Sequence, residues 1–141
     1  MKKLLFISFG LIFLSSCNKD KDKTCNRDVA GISGTYKVTA VRYKATPTSS
    51  EVDFYATLFP DACERDDQWV LNSNGTFAYN DVGVVCTPSN SYTSTWSLSG
   101  NILTVDGDAG NIDDFNCSSL TLSITDYFNT GDKLIVVFTR Q

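Results

Sequence analysis

The 141-residue sequence contains no histidine. Histidine is the usual general base, the usual partner of an activated nucleophile and the commonest metal ligand. Its absence excludes a Ser-His-Asp triad and an HExxH zinc site, and we predict no cofactor. Basic residues are also few, 12 against 16 acidic ones, and they are not clustered as binding to nucleic acid requires. The length favours one domain, and the composition argues against a nucleic-acid partner.

The sequence begins with basic residues followed by a short apolar run. Met1-Lys2-Lys3 forms a short basic segment, and the apolar run at 4–14 has eleven residues, fewer than the roughly 20 that a membrane-spanning helix needs. The run ends in Leu14-Ser15-Ser16-Cys17, which resembles the bacterial lipobox, where a leucine and small residues precede a cysteine that becomes lipidated. The alternatives are an ordinary secretory signal and an N-terminal strand with a chance cysteine.

The lipobox resemblance implies a signal peptide over residues 1–16 and a lipid anchor on Cys17. Several acyl chains make such an anchor essentially permanent, because each buried methylene contributes about 0.8 kcal/mol. Asn18 provides no acidic signal for retention in the inner membrane, which favours the outer membrane of a Gram-negative bacterium. The membrane is therefore the first predicted partner.

A polar segment follows the predicted anchor. Residues 18–23 contain no apolar side chain, so residues 17–30 are predicted to be the lipidated cysteine and a flexible tether, with the folded domain at 31–141. The alternating lysines and acids are also similar to short segments that direct some lipoproteins to the cell surface. Both the periplasmic face and the cell surface therefore stay open as locations.

The rest of the sequence has the pattern of a β-protein. Short stretches of period two are separated by Gly, Asn and Asp about every ten residues, and no stretch keeps a 3.6-residue period for long. Strands are predicted at 35–44, 68–72, 76–80, 92–98, 102–106, 111–115, 120–124 and 133–140, with a less regular one at 82–86. Closing such a meander removes its exposed edges, so we predict an all-β, antiparallel up-and-down β-barrel of about eight strands.

Several motifs narrow the type of barrel. Gly34-Thr35-Tyr36 resembles the Gly-X-Trp motif of lipocalins, with tyrosine in place of tryptophan. That resemblance implies that Arg140, from the last strand, packs on the Tyr36 ring. Further matches make the region 31–141 similar to the lipocalin-like domain of small bacterial lipoproteins: Asp61-x-Cys63, residues 72–76, Cys86 and residues 95–103. Tyr36 and the long insert at 46–62 depart from the pattern.

If Cys17 carries lipid, four cysteines remain: Cys25, Cys63, Cys86 and Cys117. Four cysteines in an oxidising compartment allow three disulfide connectivities. The lipocalin-like resemblance implies Cys63 with Cys86, a bond worth about 3 kcal/mol in the chain-entropy model, and leaves Cys25 to pair with Cys117. A zinc site is the alternative, but the cysteines lack CxxC spacing.

Two acidic stretches have some features of functional sites. Residues 106–114 start like a calcium loop, but Gly110 and Cys117 stand where that loop needs oxygen ligands, so a solvated turn is predicted. Glu64, Asp66 and Asp67 lie in one loop and are predicted to solubilise an exposed segment rather than to flank a sugar.

An eight-stranded barrel either is filled by side chains or holds one small molecule. Residues 52–60 are predicted to form a helical turn or a lid over one end. The candidate ligand-binding residues are Phe54, Tyr55, Phe59, Trp69, Tyr79 and Trp96. The predicted function is binding of a small hydrophobic molecule by a lipid-anchored lipoprotein, and the alternative is a filled barrel that interacts with an envelope protein. No arrangement of carboxylates, tyrosine or lysine indicates an enzyme.

Overall fold

The structure is a computed structural model that describes residues 25–141. The predicted signal peptide, the predicted lipidation site Cys17 and the tether up to residue 24 lie outside the described residues.

Within residues 25–141, nine antiparallel strands form a single sheet that closes into a ring. The strands are β1 (Gly34–Lys44), β2 (Val52–Asp53), β3 (Gln68–Leu71), β4 (Thr76–Asn80), β5 (Tyr92–Ser99), β6 (Ile102–Val105), β7 (Asp108–Phe115), β8 (Ser119–Thr125) and β9 (Lys133–Arg140). Consecutive strands pair from β3 to β9, and β1 pairs with both β3 and β9. Eight strands therefore close the barrel, and β2 adds a short pair to the far end of β1. The predicted fold class is confirmed.

Short helices lie outside the ring. Helix α1 (Val29–Ile32) is capped at its N-terminus by Asp28, whose carboxylate accepts the Gly31 N–H at 2.7 Å. Helix α2 (Tyr55–Leu58) is a single turn within the segment predicted to be a helical turn or lid, and a 3-10 turn follows at Ala62–Glu64.

Alternation along the strands puts large apolar side chains inside the barrel. On β9, for example, Leu134, Val136 and Phe138 face the interior and are at most 7% exposed. The buried core also includes Ile32, Tyr36, Val38, Val41, Leu71, Phe77, Tyr79, Trp96, Leu103, Ile112, Phe115, Leu120 and Leu122.

A bulge in β1 changes which residues of that strand face the interior. Val38 pairs with Phe138 and Ala40 pairs with Val137, so Thr39 is an extra residue. The bulge shifts the alternation by one residue, as an inserted residue must. Val41 is therefore fully buried, whereas Ala40, which strict period-two alternation would put on the same face as Tyr36 and Val38, is only half-buried.

Two other strand predictions also need correction. β7 starts at Asp108 rather than at residue 111, because Asp106 and Gly107 alone make the turn, with φ of 54° and 92°. Positive φ at both central residues is the geometry that an Asp-Gly hairpin favours. Residues 82–86 form no strand, because side-chain carboxylates accept their N–H groups: Asp66 accepts from Val84 at 2.9 Å and Asp81 accepts from Cys86 at 3.1 Å.

The strand register gives the barrel two different ends. One end, called the closed end here, carries helix α1, the turns at 72–75 and 99–101, and the loop at 116–118. The opposite end, called the mouth, carries the segments 45–51, 54–67, 81–91, 106–107 and 126–132.

One disulfide lies at each end. Cys25 pairs with Cys117 at the closed end, with 5.5 Å between Cα atoms, and Cys63 pairs with Cys86 near the mouth, at 5.2 Å. Both pairs are those that the sequence analysis expected. The predicted tether reaches residue 30, but Cys25 and the helix α1 are already attached to the barrel, so the folded part includes the residues from 25 onward.

Candidate functional site

A cavity of about 160 Å³ lies inside the barrel. Its floor is the Tyr36 ring above the closed end, and its wall is made mostly of aliphatic side chains: Val38, Leu71, Leu103, Val105, Leu120, Leu122, Ile124, Leu134 and Val136. Gly110 also lines the wall, on the inward face of β7. Because Gly110 has no side chain, it leaves space in the lumen beside Leu103, its pairing partner on the neighbouring strand β6.

Aromatic rings fill the side of the barrel next to the cavity. Trp69 packs against Phe77 and Phe138, with ring centroids 5.3 Å apart in each case, and against Tyr79 at 5.7 Å. Trp69 and Phe138 also line the cavity. The lumen is therefore partly filled and partly open.

The mouth contributes both aromatic and acidic side chains to the cavity. Leu58 and Phe59 cover the cavity from the C-terminal end of α2. Tyr92 and Tyr127 border it and remain substantially exposed, at 43% and 38%. Asp106, in the turn between β6 and β7, and Asp108, the first residue of β7, both line the cavity and are exposed. The cavity is thus apolar in its depth and carries negative charge at its rim.

The rim residues influence one another electrostatically. Partial burial raises the pKa of the Tyr92 hydroxyl, and hydrogen bonding to Asp106 together with the charges of Asp106 and Asp108 raises that pKa further. Both carboxylates are therefore close enough to Tyr92 to disfavour a further negative charge there.

Hydrogen bonds fix the two segments that border the mouth. The Arg65 guanidinium donates to the carbonyl oxygens of Phe59, at 3.0 Å, and Pro60, at 3.1 Å. The buried Asp132 carboxylate accepts the N–H groups of Tyr127, Phe128 and Asn129 at 2.7–3.0 Å. Phe59 and Tyr127 consequently take up defined positions over the lumen.

The closed end is built around Arg140 and Tyr36. Arg140 Cζ lies 5.2 Å from the Tyr36 ring centroid, and Nη2 donates to the Tyr36 hydroxyl at 2.6 Å. Gly34 makes room for this arrangement, because a Cβ at that position would lie 3.1 Å from Arg140 Nε. The Gly34-Thr35-Tyr36 resemblance to lipocalins implied the contact between Arg140 and Tyr36. A glycine at position 34 is explained by the closeness of Arg140.

Residues 32–134 match the protein family described as lipocalin-like domain. This chain belongs to the lipocalin-like domain family. No curated protein matches the chain at a significant level. The family match covers the barrel from the end of α1 to the start of β9, so it includes most of the cavity wall.

Two of the six candidate ligand-binding residues line the cavity of this lipocalin-like domain, namely Phe59 and Trp69. Phe54 does not, because it packs against Tyr43 at 5.2 Å and Phe128 at 5.7 Å. Tyr55 does not line the cavity either, and its hydroxyl donates to the carbonyl oxygens of Val38 and Arg65, each at 3.2 Å.

Tyr79 and Trp96 also do not line the cavity, because their polar tips have partners elsewhere in the domain. The Tyr79 hydroxyl donates to Asp67 at 2.6 Å, and Trp96 Nε1 donates to the Asn72 carbonyl at 2.7 Å. A buried hydroxyl or indole N–H without a partner would be costly. These two hydrogen bonds therefore hold the Tyr79 ring beside Asp67 and the Trp96 ring beside Asn72.

The acidic residues after Cys63 have a different role from the predicted one. Asp67 is 2% exposed and accepts both the Tyr79 hydroxyl and the Val82 N–H, so it fastens a mouth loop to the barrel instead of solubilising an exposed segment. Asp66 also fastens this loop, because its carboxylate accepts the Val84 N–H.

Asp106, Asp108, Gly110 and Tyr127 are among the lining residues that the sequence did not point to as site residues. An Asp-Gly pair at 106–107, at the end of a predicted strand, is a hairpin signal, and period-two alternation from Asp108 would have placed Gly110 on the same face as Ile112. No signal in the sequence identifies Tyr127, whose position depends on Asp132.

Within residues 25–141 no helix is long and apolar enough to cross a membrane. Across the same residues, no group of three or more Cys, Asp and Glu side chains is arranged to hold a metal ion. The acidic stretch at 106–114 instead forms a two-residue turn and a strand.

Proposed function

We propose that this lipocalin-like domain binds one small apolar molecule in its lumen, and that Cys17 anchors it as a lipoprotein in the outer membrane of a Gram-negative bacterium. The observation that carries the binding proposal is the cavity, whose wall is mostly aliphatic and aromatic and which opens at the mouth. An apolar cavity of this kind favours uptake of an apolar ligand because water gains few hydrogen bonds there.

The cavity volume limits the size of the ligand. A cavity of roughly 150 Å³ lined by Leu, Ile and Phe is large enough for benzene, whereas the pockets that hold drug-sized ligands have volumes of about 300–1,000 Å³. At about 160 Å³, the lumen suits a molecule with one ring or a short alkyl chain. Binding rather than catalysis is the role that this wall supports, because its charged groups lie at the exposed rim.

Binding can be tested with toluene on the protein comprising residues 18–141, which contains the whole described barrel with its own core and both disulfides. Isothermal titration calorimetry should give saturable binding of one toluene per chain. Gly110→Leu should weaken binding by about tenfold or more, because the added side chain occupies the lumen.

Ala109→Leu is the matched control, since Ala109 is exposed on the opposite face of the same strand. Its affinity for toluene should stay within about twofold of the wild type. No saturable binding, or equal binding by wild type and Gly110→Leu, would overturn the lumen as the binding site and favour the alternative of an envelope scaffold that contacts another protein.

The anchor proposal rests on the basic start, the apolar run and Leu14-Ser15-Ser16-Cys17. In a Gram-negative host, Cys17→Ala should move the full-length protein from the outer-membrane fraction to the soluble fraction. Ser16→Ala keeps a small residue before the cysteine and should leave the protein in the membrane. Equal partition of Cys17→Ala and wild type would refute the lipid anchor.

A further inference from the structure

The rim of the cavity has an excess of negative charge. Asp106 and Asp108 line the cavity at the mouth, and none of the residues that line it is a lysine or an arginine. Among residues 25–141, the only ion pair within 4 Å joins Arg42 and Glu51. Neither rim carboxylate therefore has a cationic partner within the described part of the chain.

The turn that carries these carboxylates is well defined. Asp106 and Gly107 adopt the paired positive φ values of a tight hairpin, and the Asp106 N–H donates to the Thr95 carbonyl of the neighbouring strand at 3.0 Å. Asp108 pairs with Val105, immediately below the turn. A charge held on such a turn loses less conformational entropy on binding a ligand than one on a free loop.

Aromatic side chains stand beside the same rim. Phe59, Trp69, Tyr92 and Tyr127 all line the cavity. The faces of aromatic rings attract cations, which is an interaction worth about 0.5–2 kcal/mol according to its desolvation. Anions gain nothing comparable from ring faces and are repelled by both carboxylates.

The register sets the distance between the apolar depth and the charged rim. Leu103 and Gly110 form one cross-strand pair, and Val105 and Asp108 form the pair nearer the mouth. Two residues along a strand correspond to about 7 Å. A ring at the level of Gly110 therefore needs a linker of about two carbons for its attached group to reach the carboxylates.

From these observations we infer that the ligand is an amphiphilic cation, with one apolar ring or short chain in the lumen and an ammonium group beside Asp106 and Asp108. The inference rests on the proposed binding function and specifies its ligand class. The carboxylates neutralise the head group, the aromatic rim contacts it, and the aliphatic wall takes the apolar body.

Three compounds with the same ring and a similar chain test the inference: 2-phenylethylamine, a cation at pH 7, 2-phenylethanol, which is neutral, and 3-phenylpropionate, an anion. In calorimetry at low salt with residues 18–141, the amine should bind about three- to tenfold more tightly than the alcohol, as expected for charges at an exposed rim. The anion should bind more weakly than the alcohol. High salt should reduce the advantage of the amine and leave the alcohol unaffected.

The double variant Asp106→Asn/Asp108→Asn should bind the amine and the alcohol equally, with affinity for the alcohol unchanged. Asparagine accepts positive φ and Asn-Gly favours the same turn, so the hairpin is retained. Glu51→Gln/Asp114→Asn is the charge-matched control, because both carboxylates are exposed and neither lines the cavity. This control should keep the preference for the amine.

The outcomes separate the two proposals. If toluene and 2-phenylethanol bind but the amine has no advantage, or if its advantage survives in the Asp106→Asn/Asp108→Asn variant, the cation inference is overturned and the proposed binding function stands. If none of the compounds binds saturably, the proposed binding function is itself overturned.

Discussion

The guanidinium of Arg140 lies over the ring of Tyr36 and also donates a hydrogen bond to the hydroxyl of that ring, at 2.6 Å. The same nitrogen, Nη2, is within hydrogen-bonding distance of the carbonyl oxygens of Gly31 and Ser33. The Tyr36 hydroxyl in turn donates to the Ile32 carbonyl at 2.6 Å. The last strand, the first strand and helix α1 are thus joined through one cation at the closed end.

Replacing this cation should measure the strength of the closure. Arg140→Lys keeps the charge but loses the planar fork that serves several acceptors, so the free energy of unfolding should fall by about 1–3 kcal/mol. Urea unfolding at pH 7 with both disulfides intact measures the loss. Arg42→Lys is the control, because Arg42 forms an exposed pair with Glu51 and its replacement should cost less than about 0.5 kcal/mol. Equal losses for the two variants would contradict a special role for Arg140.

The carboxylate of Asp132 should make stability sensitive to acid. Burial by itself would raise its pKa, but hydrogen bonds from the Tyr43 hydroxyl and from the N–H groups of Asn129, Phe128 and Tyr127 hold the pKa below its ordinary value. The folded state therefore favours the ionised form, so this contribution is present above about pH 4 and is lost as the pH falls through the lowered pKa.

Asp132→Asn should accordingly lower the urea midpoint at pH 7 and reduce the drop in midpoint between pH 5 and pH 2. The variant should also weaken toluene binding, because Tyr127 borders the cavity and is held by Asp132. Asp114→Asn, at an exposed position on β7, should change neither property. A wild-type acid profile in Asp132→Asn would show that Asp132 does not control this dependence.

The hydroxyl of Tyr79 should make stability sensitive to alkali. Burial raises its pKa well above the ordinary value of 10, and the hydrogen bond to Asp67 and the charge of Asp67 raise it further. Because the folded state holds this proton more tightly, its contribution is complete below about pH 10 and falls as the pH rises from there towards the raised pKa. Urea midpoints between pH 8 and pH 11 should fall less steeply in Tyr79→Phe than in wild type. An unchanged slope would contradict the assignment.

The disulfide at the closed end should contribute to stability without affecting the cavity. Cys25→Ser/Cys117→Ser opens a link between residues 92 positions apart and should lower the free energy of unfolding by about 2–4 kcal/mol. Neither cysteine lines the cavity, so toluene affinity under native conditions should be retained. Loss of toluene binding in a variant that still unfolds cooperatively would show that the closed end shapes the lumen.

The fold could be predicted because its main signals are local. Period-two alternation and turn residues such as Asn74-Gly75 mark strands without reference to the rest of the chain, and the strand at 133–140 was predicted with its observed bounds. The bulge at Thr39 gave no such signal, because Ala40 and Val41 are both apolar and either could face inward. Residues 82–86 look like a strand, but the carboxylates of Asp66 and Asp81 accept the N–H groups of Val84 and Cys86.

The site was harder to predict because lining the lumen depends on contacts between distant residues. Tyr79 and Trp96 were predicted to bind ligand because they are aromatic. Their polar groups instead bond to Asp67 and Asn72, and neither residue lines the cavity. Gly110 adds to the open space, but its effect depends on the side chains of the neighbouring strands. Residues 106–114 were predicted to form a solvated turn, but only Asp106 and Gly107 do, Asp108 begins β7, and only the closed ring places this turn at the mouth.

The position of the Cys25–Cys117 disulfide has a consequence for how the domain meets its surroundings. Eight peptide units separate Cys17 from Cys25 and can span at most about 28 Å, so a lipid on Cys17 would tether the barrel by its closed end. The mouth would then open at the end of the domain farthest from the point of attachment. Ligands would exchange with the aqueous phase beyond the membrane rather than pass directly from the bilayer that holds the anchor.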